Sequence, residues 1–172
     1  SRGLGDVYKR QSVQREGITE VSVPAKSFSC NLVLTSQADA KQKNTYYCTA
    51  VSMGNPHVIQ YVDTLDFDIE AIGPKFEHAS LFPESVNTEF VKVVDREHLK
   101  MRVWERGAGV TMACGTGTCA TVVAAILNGK VSKSADVTLD GGRLHIEWDG
   151  NPESHVFMTG PAEKVFEGNY PL

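Results

Sequence analysis

Residues 118–128, TCATVVAAILN, are the stretch that most limits what this chain can fold into. Cys119, Val122, Val123, Ile126 and Leu127 recur at i, i+3, i+4, i+7 and i+8, the spacing of one buried helical face. Gly129 stands where the residue just past a helix end belongs, because glycine takes the left-handed conformation there at little steric cost. A helix this apolar needs surroundings that hide it from water, and the rest of the chain reads mainly as strands. Alternation or β-branched runs mark residues 18–23, 29–34, 45–52, 57–62, 88–95, 99–105, 135–139, 143–148 and 155–159. Asp140-Gly141-Gly142 is a hairpin signal between two of them. A second helix is expected over 65–76, where Leu65, Ile69, Ile72 and Phe76 lie near one face and Pro74 falls near the end. Many antiparallel strands around one buried helix make an α+β fold.

The chain has 172 residues, 41% of them hydrophobic and 22% charged, enough to close a core and close to the length of one domain or one domain with part of another. Residues 1–50 carry 7 Lys/Arg against 4 Asp/Glu, and the remainder 10 against 17. That acidic body, without a basic cluster, speaks against nucleic acid as a partner. No apolar run reaches the roughly 18 residues of a membrane-spanning helix, and no export signal opens the chain, so no membrane partner and a cytoplasmic place are expected. Residues 1–12 lack periodicity and are expected to be a disordered leader or an assembly scar.

The four cysteines, Cys30, Cys48, Cys114 and Cys119, have neither the spacing of a disulfide scaffold nor the C-x-x-C of a zinc site, so no metal is expected. Cys114 alone precedes a glycine-rich turn, Gly115-Thr116-Gly117, at a helix start. Glycines let a ligand approach the backbone, and the first-turn N–H groups have no partner within the helix, so the turn suits an anion such as a carboxylate. The helix dipole at that end favours thiolate and is expected to lower the thiol's pKa. A buried structural cysteine at a tight turn is the plainer explanation. The glycines and the neighbouring Glu105-Arg106 pair move the balance towards chemistry. Cys119, on the apolar face, is expected in the core. His78, His98, His145 and His155 are expected to be packed histidines without a role.

Four blocks, VSMGNPH at 51–57, FPESVNTEFV at 82–91, WERGAGVTMACGTGTCA at 104–120 and MTGPAEKVFEG at 158–168, resemble diaminopimelate epimerase in that family's order and approximate spacing. The resemblance implies antiparallel β structure wrapped around a central helix in each of two halves, with substrate in the cleft between them. It implies interconversion of LL- and meso-diaminopimelate by two cysteines, without pyridoxal phosphate, other cofactor or metal. One thiolate removes the Cα proton and the other thiol returns a proton on the opposite face. Residue by residue, it makes Cys114 one catalytic cysteine, and Glu105 and His57 groups that tune the thiols. Asn55, Asn87, Glu105, Arg106, Gly115 and Thr116 become substrate contacts, and Phe166 a homodimer contact.

The family's first cysteine block, MRxCGN-like, has no counterpart in residues 1–50, and neither Cys30 nor Cys48 precedes a glycine-rich turn. The expectation is therefore a C-terminal epimerase domain over 13–154. Residues 155–172 are then a strand that would complete an N-terminal domain, leaving the strand at 156–158 without a sheet. A homodimer is expected at full length, and little activity from the chain alone. A racemase of another amino acid, proline-racemase-like, or a non-catalytic carboxylate-binding module are the other readings.

Overall fold

The computed structural model describes residues 29–35, 43–151, 154–162 and 166–169, with side chains from Tyr46 onward. Within them the order is β1 (Ser29–Thr35), β2 (Lys43–Ser52), β3 (Pro56–Tyr61), α1 (Ile69–Glu77), β4 (Asn87–Val93), β5 (His98–Glu105), β6 (Gly109–Thr111), α2 (Gly115–Leu127), β7 (Ser134–Leu139), β8 (Gly142–Glu147) and β9 (Phe157–Thr159). The expected strand at 18–23 and the leader at 1–12 lie outside the described residues.

The strands form one sheet in the order β1-β2-β3-β4-β5-β7-β8-β9, with β6 paired to β5. Most neighbours pair antiparallel, but the sheet is mixed, which corrects the expectation of antiparallel β structure at two places: β3 with β4 and β5 with β7 run parallel. The reason lies in the connections. Parallel neighbours need a long crossover, and these two links are the ones that carry α1 and α2. β5 serves three partners by dividing its length, with residues 98–100 against β7 and 103–105 against β6. β6 itself was hidden in a glycine-rich run that reads as loop. A second correction concerns the C-terminal strand. Phe157–Thr159 is not left without a sheet but pairs antiparallel with β8.

α2 is the centre of the molecule. It touches β2, β3 and β4 and also β7, β8 and β9 from the far end of the strand order. With about 4.8 Å between neighbouring strands, a flat sheet could not reach it from both ends, so the sheet curls around the helix. Val51, Ile59, Val91, Met101, Val137 and Ile146 form the lining of that curl against Cys119, Val122 and Val123. Gly129, with φ of 66°, ends the helix as its sequence position suggests.

α1 covers the other face, with Phe76 and Ile69 packed on Cys48, Val58 and Phe90. It starts at Ile69, later than its apolar spacing predicts, because Asp68 caps it by accepting the Ala71 N–H at 3.1 Å. Alternation along the strands thus sorts residues by helix. Val58 and Phe90 face α1, while Ile59 and Val91 face α2.

Candidate active site

Four elements meet at the N-terminus of α2, and each brings a side chain for a local reason. Cys114 is the N-cap of the helix, in extended conformation (φ −136°, ψ 107°), and its Sγ accepts the Gly117 N–H at 3.4 Å. Its carbonyl takes the Thr118 N–H and hydroxyl, both at 2.8 Å, which fixes the first turn. The N–H groups of Gly115 and Thr116, in the same turn, have no acceptor within the helix. Thr116 Oγ1 lies 3.6 Å from the thiol.

The turn between β2 and β3, with Gly54 at φ 109°, presents Asn55 to this helix end. Asn55 Nδ2 donates to Thr116 Oγ1 at 3.3 Å, and its Oδ1 faces His57 Nε2 at 3.0 Å. His57 is fully buried and its Nδ1 lies 2.7 Å from Glu89 Oε1, also fully buried. In the parallel register His57 sits beside Asn87 and Ile59 beside Glu89, so period-2 alternation puts all four on the α2 side of the sheet.

Asn87 clamps backbone to backbone. Its Nδ2 donates to the Pro56 carbonyl at 3.1 Å, and its Oδ1 accepts the Arg106 N–H at 3.0 Å. The β5–β6 turn it holds is also tied to α1, because Glu77 accepts Trp104 Nε1 at 2.6 Å and the Gly107 N–H at 2.8 Å. Glu105 accepts the Thr111 hydroxyl at 2.5 Å. The exposed Arg106 guanidinium donates to the Glu84 carbonyl at 3.0 Å.

The geometry changes the expected electrostatics of the thiol. Burial pushes the Cys114 pKa up. Hydrogen bonds to Thr116 and Gly117 oppose this without cancelling it, and the Glu89 and Glu105 carboxylates add to the rise. The lowered value expected from the helix end is therefore corrected, because desolvation of the charged form outweighs the cap. Burial also pushes Cys119, at 0% exposure, up to about 12.

The model for the family described as diaminopimelate epimerase matches residues 49–165. The chain belongs to the diaminopimelate epimerase family. It is similar to diaminopimelate epimerase of Acetivibrio thermocellus, 61% identical over 125 residues that make 72% of this chain and 44% of that one. Diaminopimelate epimerase of Nostoc punctiforme is 46% identical over 176 aligned positions, 96% of this chain and 62% of that one. The chloroplastic diaminopimelate epimerase of Oryza sativa subsp. japonica is 50% identical over 155 residues, 86% of this chain and 44% of that one. The chain thus spans 44% to 62% of the length of these curated relatives. Among solved structures, a phenazine biosynthesis protein of the PhzF family from Enterococcus faecalis gives a TM-score of 0.44 at 17% identity, covering 55% of this chain and 34% of that one.

Against the residues that the epimerase resemblance singled out, the structure gathers Cys114, Gly115, Thr116, Asn55 and His57 in one hydrogen-bonded group. Asn87 adjoins through the backbone it clamps, and Glu105 acts on the thiol through its charge. His57 is linked to Cys114 by hydrogen bonds through Asn55 and Thr116, and it also touches the Glu89 carboxyl group. Phe166 stands apart from them at 85% exposure. Cys48 belongs to the α1 face of the sheet, where its thiol donates to Gln60 Oε1 at 2.9 Å. His78, His98 and His155 are exposed, which corrects the expectation that they are packed, while His145 is half-buried with its Nδ1 2.6 Å from Asp136 Oδ1. Glu89 escaped the sequence reading, although its place two residues after Asn87 puts it on the same strand face. No helix among the described residues is long and apolar enough to cross a membrane.

Proposed function

We propose that this chain carries one half of the catalytic apparatus that interconverts LL- and meso-diaminopimelate, with Cys114 as one of two thiols acting on Cα. The observation that supports it is the seating of the Cys114 thiol at the cap of α2, beside two helix N–H groups and the Thr116 hydroxyl. A substrate α-carboxylate placed against the Gly115 and Thr116 N–H groups brings Cα to the thiol, and the same donors stabilise charge that moves onto that carboxylate when Cα loses its proton. In one direction the second thiolate takes the Cα proton, and the Cys114 S–H bond then breaks as a new Cα–H bond forms on the opposite face. In the other direction Cys114, as thiolate, is the base. No cofactor or metal enters either step.

Asn55, held by His57, completes the wall beside Thr116. Glu105 bears on the charge of the thiol, and Arg106 is the cation for a distal carboxylate, a bidentate match for its planar fork. Phe166, exposed, is the aromatic offered to a second copy in a homodimer. A cytoplasmic place is part of this reading, beside a rice relative whose name puts it in the chloroplast.

The test is deuterium exchange at Cα in D₂O, with a full-length protein carrying this segment and a panel of amino acids. Exchange with inversion of diaminopimelate, and none with proline, supports the reading. Exchange of proline without diaminopimelate replaces it with a racemase of another substrate. No exchange of any amino acid, with carboxylate binding retained, replaces it with a binding module.

A further inference from the structure

Glu89 is a fully buried carboxylate on β4, facing α2. Its Oε1 meets His57 Nδ1 at 2.7 Å, while its Oε2 is buried without a hydrogen-bond partner. A Cβ on Gly117 would collide with Glu89 Oε1 and lie 3.1 Å from Cys114 Sγ. Glycine at 117 is therefore what lets a carboxylate and the thiol occupy the same space over the first turn of α2. A negative charge in a site with few mobile dipoles is screened little, so each of these two groups feels whether the other is ionised.

We propose that Glu89 is a positioning residue that holds Cys114 in its thiol form, ready to give its proton. The inference deepens the reading of Cys114 as a proton-transferring thiol and rests on it. When the S–H bond breaks and its proton forms the Cα–H bond, the electron pair stays on sulfur as a thiolate facing Glu89. That repulsion favours prompt recovery of a proton, from the next Cα or from solvent. His57 links this charge to the substrate side. Asn55 Nδ2 is committed to Thr116, so Asn55 Oδ1 faces His57 Nε2 at 3.0 Å, and the ring is held between that amide and the Glu89 carboxyl group.

Among the described residues, the charged and titratable groups that bear on the thiol are few. Glu89 comes from β4, Glu105 from β5, and Cys119 from α2 itself. His57 on β3 stands behind Glu89. From β7 and β8 the core neighbours of the helix, Val137 and Ile146, are apolar, and from β9 the Met158 thioether lies against Gly115.

The experiment is the pH profile of Cys114 alkylation by iodoacetamide, read by peptide mapping on this chain without substrate, so that it stands or falls apart from the proposed reaction. In the unaltered chain the midpoint is expected above that of a free cysteine peptide, and a midpoint at or below it overturns the proposal. Glu89→Gln keeps the shape and removes the charge. Its midpoint is expected to fall by about one pH unit, roughly tenfold in labelling rate below the midpoint. A midpoint that stays or rises overturns the proposal, since a merely structural role would alter thermal stability and leave the profile in place. His57→Asn withdraws the ring from the carboxylate and is expected to move the midpoint up, whereas no movement or a fall counts against Glu89. Melting curves confirm that each variant is folded at the temperature of labelling.

Discussion

Cys114 Sγ accepts the Gly117 N–H at 3.4 Å, so the sulfur that caps α2 is the same atom that exchanges a proton with Cα in the proposed reaction. Substitution separates the two duties. A serine hydroxyl caps a helix well and an alanine not at all. Cys114→Ser is expected to melt close to the unaltered chain and Cys114→Ala to lose about 1 kcal/mol, with both inactive in the proposed reaction. Thermal melts alongside exchange assays check this, and activity in Cys114→Ser would remove the thiol from the chemistry.

Alkylation should order the cysteines. The thiolate is the nucleophile, and a raised pKa means little of it at neutral pH, so labelling of Cys114 is expected to be slow near pH 7 and to accelerate as pH rises. Cys119, pushed up to about 12 and closed to solvent, and Cys48, at 1% exposure, are expected to label only after Cys114. Timed iodoacetamide labelling with peptide mapping reads the order. Cys119 labelling first would reverse the roles assigned to the two ends of the turn.

Glu77 anchors the β5–β6 turn to α1, and its titration should show in stability. Burial raises its pKa, but hydrogen bonds from Trp104 and Gly107, with the charge of His78, outweigh that and hold it below the ordinary carboxylate range. A carboxyl with a depressed folded pKa contributes stability above its unfolded value, about 4.3, and loses it as pH falls through the folded one. Glu77→Gln is therefore expected to destabilise the chain at pH 7 by about 1–3 kcal/mol, read as a lower melting temperature, and to flatten the acid limb below about pH 4.3. An unchanged acid limb would take Glu77 out of the anchor.

The helix α2 and the turn before it were legible because both signals are local. An uninterrupted apolar face announces burial, and glycines around one cysteine announce a backbone that something approaches. The parallel pairings β3–β4 and β5–β7 were not legible, since alternation says which face a residue takes and nothing about which strand lies beside it. Three-residue β6 is shorter than any period can reveal. Glu89 was missed because a charge within a strand reads as a solvent face. Asn87, Glu89 and Val91 share one face by alternation, and taking Val91 as core would have placed the carboxylate inside. The direction of the Cys114 shift needed the depth of burial, which a helix-end argument does not contain.

The central claim, that Cys114 moves a proton at Cα in concert with a second thiol, is tested most directly by stereochemistry in D₂O. Each stereoisomer of diaminopimelate is incubated with this 172-residue chain, alone and mixed with a separately made N-terminal half of an epimerase relative, and deuterium content and chirality at Cα are read. Among the described residues only Cys114 pairs a thiol with a helix cap, so the chain alone is expected to give at most slow exchange with retention. Inversion is expected in the mixture, and its loss when the chain carries Cys114→Ser. Inversion by the chain alone, or by the mixture bearing Cys114→Ser, would contradict the two-thiol mechanism.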